Sequence, residues 1–98
     1  MEITRHEWRL SEKVKEKISE IAGRRKNTTA SEIEWVVNQL QQHGFDVREP
    51  RRTRHGVLYG VGPARFMVCT HNPGSKQVKA CYIDDFLNAM LELGLYEE

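Results

Sequence analysis

The stretch that decides the fold runs from residue 44 to residue 95: GFDVREPRRTRHGVLYGVGPARFMVCTHNPGSKQVKACYIDDFLNAMLELGL. Short runs of alternating or continuous apolar residues predict three strands, at 45–49, 55–61 and 65–70. Gly62-Pro63-Ala64 predicts a tight turn that joins the last two strands as a hairpin. Because successive strands with short connections pair antiparallel, the stretch predicts a small antiparallel sheet.

Three helices are predicted around this sheet. The first is capped by Ser11 and ends at Gly23, because apolar residues recur between them every three or four positions. The second begins with the capping box Thr29-Ala30-Ser31-Glu32 and ends at Gly44. The third ends at Gly94. The apolar stripes are Leu10, Val14, Ile18 and Ile21 in the first helix, Ile33, Val36, Val37 and Leu40 in the second, and Ile83, Phe86, Leu87 and Met90 in the third.

The order of these elements predicts an α+β fold. We expect a three-stranded antiparallel sheet packed on one face by two helices, in the order α-β-β-β-α, with an additional N-terminal helix. Residues 1–98 are expected to form a single domain, with the extra helix within 1–27 and the core within 28–98. Pro50 should end the first strand, since it has no N–H for a ladder. Trp35 lies off the apolar stripe of the second helix and is expected to pack against the first.

The net charge of +1 hides an uneven distribution of charged residues. Residues 1–47 sum to zero, residues 48–79 sum to +6 and residues 80–98 sum to −5. A concentrated positive segment attracts polyanions, nucleic acid above all. The alternative is a solvated loop whose arginines have no specific partner. The basic residues of the middle segment are Arg48, Arg51, Arg52, Arg54, Arg65, Lys76 and Lys79.

Nothing in the composition predicts a membrane span, a secretion signal or a disulfide framework. The longest apolar runs fall well short of the ~18 residues that a spanning helix needs, and two cysteines in 98 residues suit a reducing compartment. The expected location is therefore the cytoplasm. His55, Cys69, His71 and Cys81 are all possible zinc ligands, but their spacings do not match common zinc sites. No metal and no cofactor are expected.

Several short motifs follow one another along residues 31–95, and together they resemble HicA-type toxins. These are the small mRNA-cleaving partners of HicB antitoxins in type II toxin–antitoxin pairs. The order of elements is also that of double-stranded-RNA-binding-type folds. The motifs that carry the resemblance are Gly44-Phe45, Arg51-Arg52-Thr53-Arg54-His55, Val57-Leu58-Tyr59, His71-Asn72-Pro73-Gly74-Ser75-Lys76 and Ile83-Asp84-Asp85-Phe86-Leu87-Asn88-Ala89-Met90.

The resemblance implies metal-independent cleavage of mRNA, with His55 as the catalytic residue. A histidine whose pKa lies near ~6.5 can take the proton from the attacking 2′-hydroxyl or give one to the departing 5′-oxygen at neutral pH. Arginines beside it would neutralise the charge that develops on the phosphate. The family usually carries Gly-Ser directly before its histidine, where this chain has Thr53 and Arg54.

The expected partners are RNA and a HicB-like antitoxin protein. Two other functions stay open, a non-catalytic nucleic-acid-binding module and a protein-interaction domain. His55 could equally be an ordinary surface histidine, and His71 a loop histidine bonded to nearby backbone. The residues expected to bind RNA are Arg51, Arg52, Arg54, Arg65, His71, Lys76 and Lys79.

Overall fold

The computed structural model describes residues 5–24, 27–54, 56–70 and 76–96. Its helices and its antiparallel sheet confirm the predicted α+β class, the three strands and the helix at each end. In the sheet the strands lie in chain order, β1-β2-β3. The elements are α1 (Arg5–Gly23), α2 (Ala30–Gln42), β1 (Arg51–Arg52), β2 (Val57–Val61), β3 (Ala64–Val68) and α3 (Ala80–Glu92).

The N-terminal helix α1 packs against both α2 and α3. Val14, Ile18 and Ile21 lie on one face of α1, and each is almost completely buried. The helix begins at Arg5, about two turns earlier than its predicted start at Ser11. The longer helix has a simple cause, because residues 5–22 contain no glycine or proline that would break it. The extra helix is therefore a layer of the core rather than an appendage.

The second helix begins and ends as predicted. Glu32 accepts the backbone N–H of Thr29 at 2.8 Å, which is the returning bond of a capping box. Gly44 follows the helix with a φ of +92°, a conformation that favours glycine. Trp35 is 39% exposed. It lies three residues after Glu32, whose carboxylate meets Lys17 of α1, and its packing against α1 stays a prediction.

The hairpin of β2 and β3 supplies the sheet's contribution to the core. Gly62 and Pro63 form the predicted turn, and the strands pair from Val61–Ala64 to Val57–Val68. Every second residue of each strand faces the helices, and we call this side of the sheet the inner face. On it the Tyr59 and Phe66 rings stack with centroids 5.3 Å apart. Phe66 in turn meets Phe86 of α3 edge-to-face at 5.3 Å.

The first strand lies later in the chain than predicted. Val47 forms only an isolated bridge with Val61, whereas the strand β1 pairs Arg51 with Leu58 and Arg52 with Val57. Three residues therefore lie between the two pairing points on the β1 side and two on the β2 side, and the one extra residue makes a β-bulge. The bulge contains Pro50, which cannot donate to the ladder, so Pro50 interrupts the strand instead of ending it.

Candidate functional site

A groove of about 1000 Å³ lies between α2 and the sheet edge formed by β1. One wall is the exposed side of α2, and the other is the bulged segment that leads into β1 and the turn after it. The inner face of β2 and β3 contributes the floor. The groove is lined by Ala30, Glu34, Val37, Asn38 and Gln41 of α2, by Val47, Arg48, Glu49, Pro50, Arg52, Thr53, Arg54 and Gly56 of the second wall, and by Val57, Tyr59, Val68 and Thr70.

Two of the predicted RNA-binding residues, Arg52 and Arg54, lie together in this groove. Arg52 is opposite Val57 in the ladder, so its side chain lies on the inner face, and Arg54 follows two residues later in the turn. Both are exposed. Within the described part of the chain, neither guanidinium group has an ion-pair partner, so both are available to an anion.

The outer face of the sheet, which points away from the helices, carries a separate group of arginines. Arg51 is opposite Leu58, and Arg65 is opposite Gly60, so both side chains lie on this outer face. The guanidinium group of Arg48 covers Gly60, because a Cβ on that glycine would lie only 2.6 Å from Arg48 Nε. The basic segment is therefore divided between two faces of the sheet, and Arg51 and Arg65 do not lie with Arg52 and Arg54.

Two other predicted site residues, Lys76 and Lys79, are not among those that line the groove. Lys76 and Lys79 are exposed before the start of α3, where the Lys79 backbone N–H donates to the Cys69 carbonyl at 3.0 Å. His55, the predicted catalytic residue, and His71 lie outside the described residues.

The turn that carries position 55 is closed by hydrogen bonds on both sides of it. The Thr53 N–H donates to the Gly56 carbonyl at 2.7 Å, and the Gly56 N–H donates to Thr53 Oγ1 at 3.2 Å. Gly56 also packs tightly against β3, since a Cβ there would lie 2.3 Å from the Val68 carbonyl oxygen. Both chain neighbours of His55, Arg54 and Gly56, line the groove. The described residues on both sides of position 55 are therefore held at the edge of the groove.

Tyr59 on the groove floor interacts electrostatically with both walls. Burial raises the pKa of its phenol, the Glu34 carboxylate of α2 raises it further, and the Arg52 guanidinium of β1 acts in the opposite direction. Tyr59 as a whole is 7% exposed and its ring is stacked on Phe66, so the ring is not free to stack with a base. Its hydroxyl thus lies between an acidic and a basic wall.

The cysteines are separate thiols with different surroundings. Cys69 is buried and Cys81 is exposed, and neither forms a disulfide. A hydrogen bond with the Cys69 thiol raises the pKa of the Tyr82 phenol. Across residues 5–24, 27–54, 56–70 and 76–96, no three His, Cys, Asp or Glu side chains come together as a metal site would require.

Sequence reasoning missed the α2 wall of the groove. Glu34, Asn38 and Gln41 are spaced four and three residues apart, so they follow one face of the helix beside the buried Val37. That spacing is visible in the sequence. The sequence does not show, however, that these three residues line a groove, because the spacing does not tell which side of α2 borders the sheet.

Comparison of the chain with protein-family models, with curated proteins and with solved structures gave no match. None of the described helices combines the length and the apolar character needed to cross a bilayer.

Proposed function

We propose that the protein binds RNA in the groove between α2 and β1 and cleaves it, as a HicA-like mRNA endonuclease with His55 as its acid–base residue. The observation that carries the proposal is that Arg52 and Arg54 lie on the wall of the groove that also contains the residues flanking position 55. Guanidinium groups that stabilise charge on the phosphate and an imidazole that transfers a proton are together suited to phosphoryl transfer from RNA.

The reaction uses the ribose 2′-hydroxyl as its nucleophile. This oxygen loses its proton and forms a bond to the adjacent phosphorus, while the bond from phosphorus to the 5′-oxygen breaks and that oxygen takes up a proton. The products are a 2′,3′-cyclic phosphate and a free 5′-hydroxyl. His55 would transfer one of these protons, and Arg52 and Arg54 would stabilise the negative charge on the phosphate. DNA lacks the 2′-hydroxyl, so only RNA should be cleaved.

One feature supports the HicA-like assignment within this proposal. The helix–strand–strand–strand–helix order of α2, β1, β2, β3 and α3 agrees with a double-stranded-RNA-binding-type fold. The chain departs from the family directly before His55, where it has Thr53 and Arg54 in place of Gly-Ser. Thr53 closes the turn there with its own hydroxyl and N–H, and so supplies by hydrogen bonding the tight conformation that glycine would permit. A HicB-like antitoxin partner and a cytoplasmic location go with this activity.

The test compares the wild-type protein with His55→Ala on end-labelled RNA in the presence of EDTA. We expect the wild type to cut the RNA and leave a 2′,3′-cyclic phosphate, and the variant to bind the same RNA without cutting it. A DNA strand of the same sequence is the control substrate. If the two proteins bind RNA equally and both leave it intact, the chain is a non-catalytic binding module. If His55→Ala cuts as fast as the wild type, the assignment of His55 is wrong.

A further inference from the structure

We infer that the groove accepts a single RNA strand and that Glu34 and Asn38, on the α2 wall, select its bases. This inference rests on the proposed function and adds a specificity to it. The two walls differ in net charge, since the β1 wall presents the guanidinium groups of Arg52 and Arg54 beside one carboxylate, Glu49, while the α2 wall presents a carboxylate and two amides.

The α2 side chains are placed for recognition rather than for stability. Glu34, Asn38 and Gln41 are exposed. Their side chains make no hydrogen bond or ion pair with any residue that the structure describes, so their loss should cost the fold little. The helix that carries them is held firmly, because its core-facing side is anchored by the buried Ile33 and Leu40.

Charge fixes the orientation of a bound strand. Phosphates are attracted to Arg52 and Arg54 and repelled by Glu34, so the sugar–phosphate backbone should follow the β1 wall. The bases would then point across the groove toward α2. A carboxylate accepts hydrogen bonds from an exocyclic amino group, and an amide both donates and accepts. Glu34 therefore favours the bases whose Watson–Crick edges carry an amino group, which are guanine, cytosine and adenine, over uracil.

The shape of the site favours a single strand over a duplex. A double helix is convex and is bound by protein elements that protrude into or across its grooves. Here the polar groups of both walls face into a concavity between a helix and a sheet edge. An extended strand with unstacked bases fits such a groove, and its base edges are open to hydrogen bonding.

The experiment measures binding of the octamers C8, A8 and U8 by the His55→Ala protein, which leaves them uncut. We expect C8 or A8 to bind about 5- to 100-fold more tightly than U8. Glu34→Gln and Asn38→Ala should reduce that ratio severalfold while the dependence of affinity on salt stays unchanged. Matched controls are Glu92→Gln and Asn88→Ala, exposed residues of α3 outside the groove, and they should leave the ratio as it is.

The outcomes separate the inference from the function on which it rests. If the three octamers bind equally, or if Glu34→Gln and Asn38→Ala leave the ratio unchanged while RNA still binds, base selection by α2 is refuted and the RNA-binding function stands. If none of the octamers binds at about 50 mM salt, where phosphate contacts are strong, the proposed function fails together with the inference. A thermal unfolding curve for each variant shows whether it is folded.

Discussion

Replacing Glu32 by glutamine should destabilise the fold at neutral pH through loss of one charge. The Glu32 carboxylate accepts hydrogen bonds from the guanidinium group of Arg24, from Lys17 Nζ at 3.0 Å and from the Thr29 N–H at 2.8 Å. The hydrogen bonds from Lys17 and Arg24 join the C-terminal part of α1 to the start of α2. Glutamine keeps the size of the side chain and can still accept the Thr29 N–H, so the substitution removes chiefly the charge.

The size of the effect follows from the pKa of Glu32. Burial alone would raise this pKa, but the hydrogen bonds from Arg24, the Thr29 backbone and Lys17 outweigh burial and lower it to about 2, from an ordinary value of 4.5. At ~1.36 kcal/mol per pKa unit the difference corresponds to at most ~3.4 kcal/mol. Arg24 and Lys17 are partly exposed, and water screens such pairs. We therefore expect Glu32→Gln to lower the free energy of unfolding by about 1–2 kcal/mol at pH 7.

The pH dependence of this effect has a definite sign. The folded-state pKa of Glu32 lies below its unfolded value, so the stabilisation is complete above about pH 4.5 and is lost as the pH falls toward 2. Urea unfolding of the wild type and Glu32→Gln at pH 7 and at pH 3 should show a gap that narrows in acid. At pH 7 the melting temperature should fall by roughly 5–15 °C.

Glu20→Gln is the matched control, because Glu20 contacts the same two cations but is 56% exposed. It should cost less than about 0.5 kcal/mol. The account of Glu32 is wrong if Glu32→Gln is as stable as the wild type at pH 7, or if its deficit is the same at pH 3.

Three further substitutions test the packing of the fold by urea unfolding. Gly56→Ala should cost ~1–3 kcal/mol, because its Cβ would lie 2.3 Å from the Val68 carbonyl oxygen and 2.5 Å from Cys69 Sγ. Gly23→Ala, with nothing within 4 Å of the added Cβ, should be neutral or slightly stabilising, and a loss at both glycines would contradict the steric explanation. Ile18→Ala should cost ~2–5 kcal/mol, since this α1 side chain is fully buried. A loss below about 0.5 kcal/mol, the range of an exposed site, would mean that α1 does not pack on the core in solution.

The predictable parts of the fold are those with local signals. Gly62-Pro63 between two apolar runs predicted the hairpin, and Thr29 with Glu32 predicted the start of α2, because turn and cap chemistry depend on neighbours in sequence. The first strand was misplaced for the opposite reason. Arg51-Arg52 has no strand pattern of its own, and it is a strand because β2 pairs with it after the bulge at Pro50.

The site was only partly predictable, because the sequence does not show which arginines lie on the same face of the sheet. Counting arginines along the sequence predicted one basic surface, but neighbouring strand residues face opposite sides of a sheet. Arg51 and Arg52 are adjacent in the chain and lie on different faces, and the register that decides which is which comes from pairing with Leu58 and Val57. The sequence could therefore predict a basic segment without predicting which of its arginines share the groove.

The most direct test of the proposed function compares the two arginine pairs in RNA binding by the His55→Ala protein. The groove pair is replaced in Arg52→Ser/Arg54→Ser, and the outer-face pair in Arg51→Ser/Arg65→Ser, so both variants lose two charges. The slope of log affinity against log salt falls by ~0.7 for each single-strand phosphate that the protein no longer neutralises. In the groove variant the slope should become about 1.4 less steep and RNA should bind more weakly. The outer-face variant should have the same slope and the same affinity as the His55→Ala protein. If only the outer-face variant shows a less steep salt dependence and weaker binding, RNA binding in the groove is contradicted.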